Sequence, residues 1–160
     1  MAVIRLDKVQ SVYHGNLESV KLAANATNGV FVKLNGLVAG EREVKNGVAV
    51  ADATKDTVLL LSAPEVMYDP RKKGLKDFVI EAGVATRAYH LSVGDIITMT
   101  EDLFVGTPVV GEFAVPANGD FKLHAAADLT AGSRVAFEVI EKTVLGAEGT
   151  TAYAIQVITV

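Results

Sequence analysis

The chain of 160 residues contains no cysteine and no tryptophan. Without cysteine it can form no disulfide, no thiolate metal site and no cysteine nucleophile. A fold of this length can bury roughly 70% of the surface that its unfolded chain exposes, so a stable core does not require such links. The absence of cysteine fits a reducing compartment, although exported proteins can also lack it.

Clustered positive charge and long apolar runs are also scarce. The formal net charge is −4, whereas binding to phosphate backbones needs grouped Lys and Arg side chains. No apolar run reaches the roughly 18 residues of a membrane span. Arg5 and Asp7 interrupt the N-terminal stretch where a signal peptide would carry its apolar core. We therefore expect no nucleic-acid or membrane partner, and synthesis in the cytoplasm without a cleaved signal.

Alternating apolar residues are the main pattern in what remains. Residues 135–139 and 153–157 each alternate with period 2, which places one set of side chains on one face of a strand. The Gly-containing segment 145–150 separates them, so the pattern predicts an antiparallel hairpin. Further strands are predicted at residues 20–24, 29–34, 58–62, 77–81, 95–100, 109–115 and 121–125. Residues 17–24 also fit one or two helical turns.

Four Asn-Gly pairs punctuate these strands and predict tight turns, because both residues tolerate positive φ. They are Asn28-Gly29, Asn35-Gly36, Asn46-Gly47 and Asn118-Gly119. Many short strands separated by such turns indicate an all-β fold, either a short-stranded antiparallel barrel or a sandwich.

Several short residue patterns occur twice in the same order, which favours two tandem duplicated β subdomains. The pairs are Ser19-Val20 with Ser92-Val93, Phe31-Val32 with Phe104-Val105, Gly40-Glu41 with Gly111-Glu112, Ala51-Asp52-x-Thr54 with Ala127-Asp128-x-Thr130, and Thr86-x-Ala88-Tyr89 with Thr150-x-Ala152-Tyr153. The predicted organisation is an arm (1–14), a first subdomain (15–89) with an insertion near 64–77, and a second subdomain (90–160). A unit of about 70 residues has only a marginal core by itself, so the two copies are expected to pack together.

Catalytic and metal-binding patterns are missing from the sequence. The three histidines, His14, His90 and His124, lack the close spacing of zinc ligands. No nucleophile motif or phosphate-binding loop occurs, and the carboxylate pair Glu41/Glu43 fits a charged strand face as well as a catalytic site. We predict no catalytic residue, no metal and no cofactor, and hence no enzyme.

Two segments are candidates for partner binding. In the N-terminal segment, Val3, Ile4, Leu6 and Val9 are the apolar residues of either a first barrel strand or an arm that adds to a neighbour's sheet edge. The basic residues Arg71, Lys72 and Lys73 form either a solvated loop or a contact site for an acidic partner surface.

Taken with the apolar N-terminal segment and the Val/Thr/Gly-rich strands, the C-terminal residues 135–146 and 151–157 give the chain a family resemblance. It resembles the small structural proteins of tailed bacteriophages, in particular capsid decoration (cement) proteins. The resemblance implies a non-enzymatic virion protein that binds the major capsid protein or other virion subunits and stabilises the shell, with self-association left open. A head or tail subunit of another type fits equally well.

Two other functions stay open from the sequence. A β-barrel or the groove between the two subdomains could recognise a carbohydrate or a peptide. The chain has four Tyr, six Phe and no Trp, which disfavours a sugar site because such sites usually stack aromatic rings on the ligand. An enzyme of unrecognised type would need a deep polar pocket with converging acid–base groups.

Overall fold

The computed structural model describes residues 2–66, 71 and 77–160, and in these residues the protein is almost entirely β-structure. Among the described residues, twelve strands are accompanied by the short helix α1 and by a 3₁₀ turn at Glu101–Leu103. In chain order the elements are β1 Ile4–Lys8, α1 Gln10–His14, β2 Leu17–Leu22, β3 Phe31–Leu37, β4 Val44–Val48, β5 Leu59–Leu61, β6 Thr86–His90, β7 Ile96–Thr100, β8 Phe104–Val105, β9 Phe113–Pro116, β10 Leu123–Ala126, β11 Ala136–Leu145 and β12 Thr150–Thr159. The predicted all-β barrel architecture is confirmed.

Strands β2 to β6 form a closed five-stranded barrel, which we call the first lobe. The strand order round the barrel is β2-β4-β3-β5-β6, with β2 and β4 parallel and the other pairs antiparallel. Closure gives every strand of this lobe a neighbouring strand on both sides. Most of the predicted insertion at 64–77 lies outside the described residues.

The remaining strands form a seven-stranded sheet, the second lobe, in the order β1-β7-β12-β11-β9-β10-β8. In this order β7 is the second strand and β8 is the last, yet only the 3₁₀ turn separates them in the chain. The sheet must therefore curl round on itself. The strand β1 is added outside this series, antiparallel to β7.

The two lobes repeat one scheme of strand pairing. If β7 and β8 are counted as one interrupted strand, the first and third strands of each lobe are parallel (β2 with β4, β8 with β10). The other pairs are antiparallel in both lobes: first with fifth, second with third, second with fourth, and fourth with fifth. This common scheme supports the tandem duplication, which itself stays a prediction.

Only some of the repeated sequence patterns fall at equivalent places in that scheme. Asp52-x-Thr54 and Asp128-x-Thr130 both lie between the third and fourth strands, and Thr86 and Thr150 both begin the fifth. Phe31-Val32 lies in the second strand of its lobe, whereas Phe104-Val105 lies in the first. The early matches therefore do not mark equivalent positions.

The predicted hairpin is confirmed as β11 and β12, which pair over ten residues each. Residues 17–22 form a strand and no helix. The predicted strand at 77–81 is wrong, since only Ile80 forms a single bridge, to Ala26. The turns predicted at Asn35-Gly36 and Asn46-Gly47 are also wrong, because the first pair lies inside β3 and the second inside β4. Val20 and Leu22 of β2 pack over Gly47 so closely that a Cβ there would lie 2.5 Å from Val20 Cγ1, which explains the glycine without a turn.

One hydrophobic core runs through both lobes. At their junction Phe31 of the first lobe meets Phe137 of the second edge to face, with ring centroids 5.3 Å apart. Hydrogen bonds cross the same junction, including Phe31 N–H to the Phe121 carbonyl (2.8 Å) and Arg134 N–H to the Ala53 carbonyl (2.8 Å). A shared core makes independent motion of the lobes costly, because separation would expose apolar surface at about 25 cal/mol per Å².

Candidate partner-binding surfaces

The N-terminal segment is part of the chain's own second lobe. The strand β1 pairs with β7, and Val3 and Val9 are buried. Ile4 and Leu6 are half-buried and pack against the main core. Val3 and Val9 are therefore buried within the chain itself and could reach a neighbour only if this segment left its own sheet. The role of the four apolar residues as partner contacts stays a prediction.

The helix α1 fastens this segment to the connection between the lobes. Ser11 is buried and its hydroxyl donates to the His90 carbonyl at 2.7 Å. The buried carboxylate of Asp95 accepts from the backbone N–H groups of Gln10 (3.0 Å) and Ser92 (2.8 Å). These hydrogen bonds satisfy polar groups that would otherwise be costly to bury. Their spacing in the sequence, 79 and 85 residues, gave no signal from which the contact could be predicted.

The basic segment can be placed only in part. Arg71 is exposed, whereas Lys72 and Lys73 lie outside the described residues. Their predicted contact with an acidic partner stays a prediction.

An apolar cleft of about 760 Å³ lies between the lobes. One wall comes from the region where the parallel strands β2 and β4 end, and includes Leu22 and Val48. The opposite wall includes Phe121 and Lys122 of the second lobe, and Val79 also contributes. The volume is within the range of small-ligand sites, and the wall is mostly aliphatic. The sequence predicted a groove between two subdomains but not which residues line it.

A hydrogen-bonded turn shapes the second-lobe wall of this cleft. The Asp120 carboxylate accepts from the N–H groups of Phe121 (2.7 Å) and Lys122 (3.1 Å) and lies 2.9 Å from His124 Nε2. Partial burial acts to raise the pKa of Asp120, but the hydrogen bonds with His124 and the two N–H groups hold it below its ordinary value. Asp120 is therefore an anion at neutral pH, and its carboxylate organises this turn.

A charged cluster lies on the outside of the first lobe, across β2, β4 and β6. Lys45 Nζ lies 2.8 Å from Glu18 Oε1, and His90 Nε2 lies 3.3 Å from the same oxygen. The hydrogen bond from Lys45 lowers the pKa of Glu18, burial opposes this, and His90 lowers it further. The cluster joins three strands of one closed barrel, so its geometry is that of a cross-strand ion pair.

The hairpin β11–β12 extends beyond the sheet that holds its base. On the side of β11 away from β12, pairing with β9 covers Phe137 and Glu138, and the segment before β9 covers Val139 through two backbone hydrogen bonds with Gly111 and Glu112. Among the described residues no strand pairs with residues 140–144 on that side. We call this stretch the open edge. Ile140, with 38% of its surface exposed, and Val144, with 60%, lie along it.

Among the described residues, no three His, Asp or Glu side chains come together in a way that could hold a metal ion. His90 and His124 each contact one carboxylate, Glu18 and Asp120 respectively. No helix in the described part of the chain is long and apolar enough to cross a membrane.

The class that these features define is a two-lobed, all-β protein with one shared core, an apolar inter-lobe cleft and an open strand edge on β11. Comparison of the chain with protein-family models, with curated proteins and with solved structures finds no match. Function must therefore be argued from the surfaces themselves.

Proposed function

We propose that this chain is a non-enzymatic structural protein that binds other protein subunits through several separate surface sites. Its two lobes share one core, so the whole chain presents its surface as a single body. A body that is already ordered gives up little conformational entropy on binding, unlike a free arm, which loses roughly 1–2 kcal/mol per residue.

The observation that carries this proposal is the placement of exposed apolar side chains in separate groups. Tyr13 (77% exposed) and Val93 (64%) line one shallow depression near α1. A second group follows the open edge, and a third, Val79 and Phe121, lines the inter-lobe cleft. Apolar groups that recur together on a surface are typical of interaction sites, whereas isolated ones need no explanation.

In its finer form, the partner is the shell of a tailed bacteriophage, and the chain is a capsid decoration protein located in the virion. The resemblance noted in the sequence supports this form. A symmetric shell offers many equivalent sites, and several weak contacts on one rigid body would add up to stable attachment. The major capsid protein or another virion subunit would be the direct partner.

Co-sedimentation with assembled shells that lack the protein tests this form. We expect saturable binding at a fixed ratio to the shell subunits. The variant Tyr13→Ser/Val93→Ser should weaken binding, because both side chains are exposed, whereas Leu37→Ser, at an exposed site on β3, serves as the matched control. Absence of binding to any such shell would reject the decoration form, and equal binding by all variants would reject the depression near α1 as a contact.

A second candidate function is a binding module that takes an apolar peptide or small ligand into the inter-lobe cleft. The cleft volume and aliphatic lining favour it. Replacing Ala49, which lines the cleft, with Phe should fill part of it and abolish binding of an apolar fluorescent probe. Probe binding unchanged by Ala49→Phe would reject the cleft, and hits in a glycan screen would shift the ligand class to carbohydrate.

A further inference from the structure

The open edge of β11 is the site on this molecule where backbone geometry most clearly specifies a ligand. A strand without a neighbour presents a row of N–H and C=O groups, and another extended chain can hydrogen-bond to that row. In the first lobe every strand has a neighbouring strand on both sides, because the barrel is closed. In the second lobe β9 already occupies the base of the same side of β11, antiparallel to it.

The position of the gap defines the length and direction of an incoming strand. The segment before β9 turns away from β11 after its hydrogen bonds with Val139. An antiparallel strand of about five residues placed opposite residues 140–144 would lie on the same side of β11 as β9, beyond the irregularity in pairing between Val139 and Glu141. Val109 and Val110, each about half exposed in the preceding turn, stand where that strand would end.

The charges along the open edge specify the partner further. Glu141 and Lys142 are exposed, and neither has an ion-pair partner among the described residues. On the β12 side they face Ala154 and Tyr153, and Lys142 lies over the Tyr153 ring at 5.8 Å. Opposite charges directly across two strands stabilise the pair, and like charges destabilise it.

A second copy of the chain does not meet this requirement. Antiparallel pairing of two β11 strands about a two-fold axis through Glu141 or Lys142 would place like charges opposite each other. A two-fold axis through Thr143 would set Glu141 opposite Leu145 and Lys142 opposite Val144, so both charges would face apolar residues. The edge therefore fits a strand of different sequence.

We propose that the open edge binds an extended segment of a partner protein by strand addition, antiparallel to β11. From its N-terminal end the segment reads apolar, β-branched, acidic, basic, apolar, opposite residues 144 to 140. The apolar ends contact Val144 and Ile140, the acidic residue faces Lys142 and the basic residue faces Glu141. The proposal rests on the proposed function in one respect, namely that the ligand is a protein. It adds which surface of this chain binds and which sequence pattern in the partner is bound.

Two synthetic peptides of equal composition test the proposal against the isotopically labelled full chain by amide chemical-shift titration. The matching peptide has the core Val-Thr-Glu-Lys-Val, and the control has Val-Thr-Lys-Glu-Val, which sets like charges opposite each other. We expect shifts confined to residues 109–111 and 139–145, and about 3- to 10-fold tighter binding of the matching peptide.

The protein variant Glu141→Lys/Lys142→Glu should reverse this preference, since both side chains are exposed and the exchange leaves the net charge unchanged. Equal binding of both peptides, an unreversed preference, shifts elsewhere or no shifts at millimolar peptide would each overturn the proposal. The experiment contains no shells, so its failure leaves shell binding to be decided by co-sedimentation. Conversely, reversal of the peptide preference in a chain that ignores shells would keep the edge and reject the decoration role.

Discussion

The two lobes have the same scheme of strand pairing but different surfaces. In the first lobe the strands have three to seven residues and the barrel closes. In the second lobe the first strand is interrupted between β7 and β8, and the hairpin strands β11 and β12 reach ten residues. The same pairing scheme therefore gives a closed barrel in one lobe and a sheet with a projecting hairpin in the other.

The two lobes also differ in how the charged and backbone polar groups on their surfaces are paired. In the first lobe the exterior carries the satisfied Glu18–Lys45–His90 cluster and other ion pairs, such as Lys33 with Asp56 at 2.7 Å. In the second lobe residues 140–144 have no strand partner on one side among the described residues, and Glu141 and Lys142 have no ion-pair partner there.

The largest expected effect comes from truncating a core side chain at the junction of the two lobes. Phe137→Ala should lower the free energy of unfolding by about 3–5 kcal/mol, because a fully buried ring is removed at the junction. Urea denaturation measures the change, and Phe121→Ala, at an exposed site, should cost about 1 kcal/mol or less. A double-mutant cycle with Phe31→Ala should give a coupling of about 0.5–1.5 kcal/mol. Strict additivity would mean that the lobes are not joined through this ring pair.

The next largest effect is expected at a glycine that combines a positive φ with close contacts to the second lobe, compared with a glycine that has a positive φ alone. Gly29 has φ +89°, and a Cβ there would overlap Ile4 and lie 2.5 Å from Leu103 Cδ1. Gly29→Ala should therefore cost about 2–4 kcal/mol, from strain and overlap together. Gly36 has φ +67° with no atom within 4 Å of a built Cβ, so Gly36→Ala should cost only about 1 kcal/mol. Equal losses of stability would show that the Ile4 and Leu103 contacts yield without cost.

A smaller effect is expected at two similar Asp-x-Thr turns, one in each lobe. Asp52 accepts from Thr54 N–H (3.0 Å) and its hydroxyl (2.6 Å), and Asp128 accepts from Thr130 with the same two distances. The first turn also carries Ala53, which bonds to the second lobe. Asp52→Ala should lower the Tm by about 2–4 °C and Asp128→Ala by about half as much in thermal unfolding. A larger loss at Asp128 would contradict a structural role for the first turn at the junction.

The smallest effect is a pH dependence in the first lobe. The pKa of Glu18 is lowered by Lys45, so its contribution to stability is complete above the ordinary glutamate pKa of about 4.3 and is lost as the pH falls through its lower folded value. Glu18→Gln should thus be less stable than the parent at neutral pH, by less than about 1 kcal/mol, with the difference shrinking as the pH falls below the ordinary glutamate pKa. Urea midpoints across this pH range measure the effect. Glu43→Gln, at an exposed site, is the control, and a difference that grows in acid would contradict the assignment.

Local patterns predicted the parts of the fold that depend on near neighbours. The alternation in residues 135–139 and 153–157 predicted the β11–β12 hairpin, because a strand's side chains alternate whatever it packs against. The same reasoning failed at Asn46-Gly47, where the glycine accommodates Val20 and Leu22 from a parallel strand and forms no turn. It also failed at residues 77–81, where Ile80 forms only a single bridge and the alternating residues do not form a strand.

The candidate sites were less predictable than the fold. The N-terminal alternation was recognised, but whether β1 joins its own sheet or a neighbour's depends on β7, some 90 residues away. The open edge had no signature, because residues 140–144 read as part of an ordinary strand. Its exposure arises only because β9 is short and its preceding segment turns away at Gly111.

By itself the sequence determined that the chain is all-β, cysteine-free and punctuated by glycine turns, since composition and period-2 alternation act over a few residues. Only the tertiary structure decided that the two halves share one core, that Val3 and Val9 are buried, and that residues 140–144 of β11 have no strand partner on one side among the described residues. Those features depend on which distant segments pack together. Burial of apolar surface brings together residues far apart in the sequence, and a local pattern does not specify the segment against which it packs.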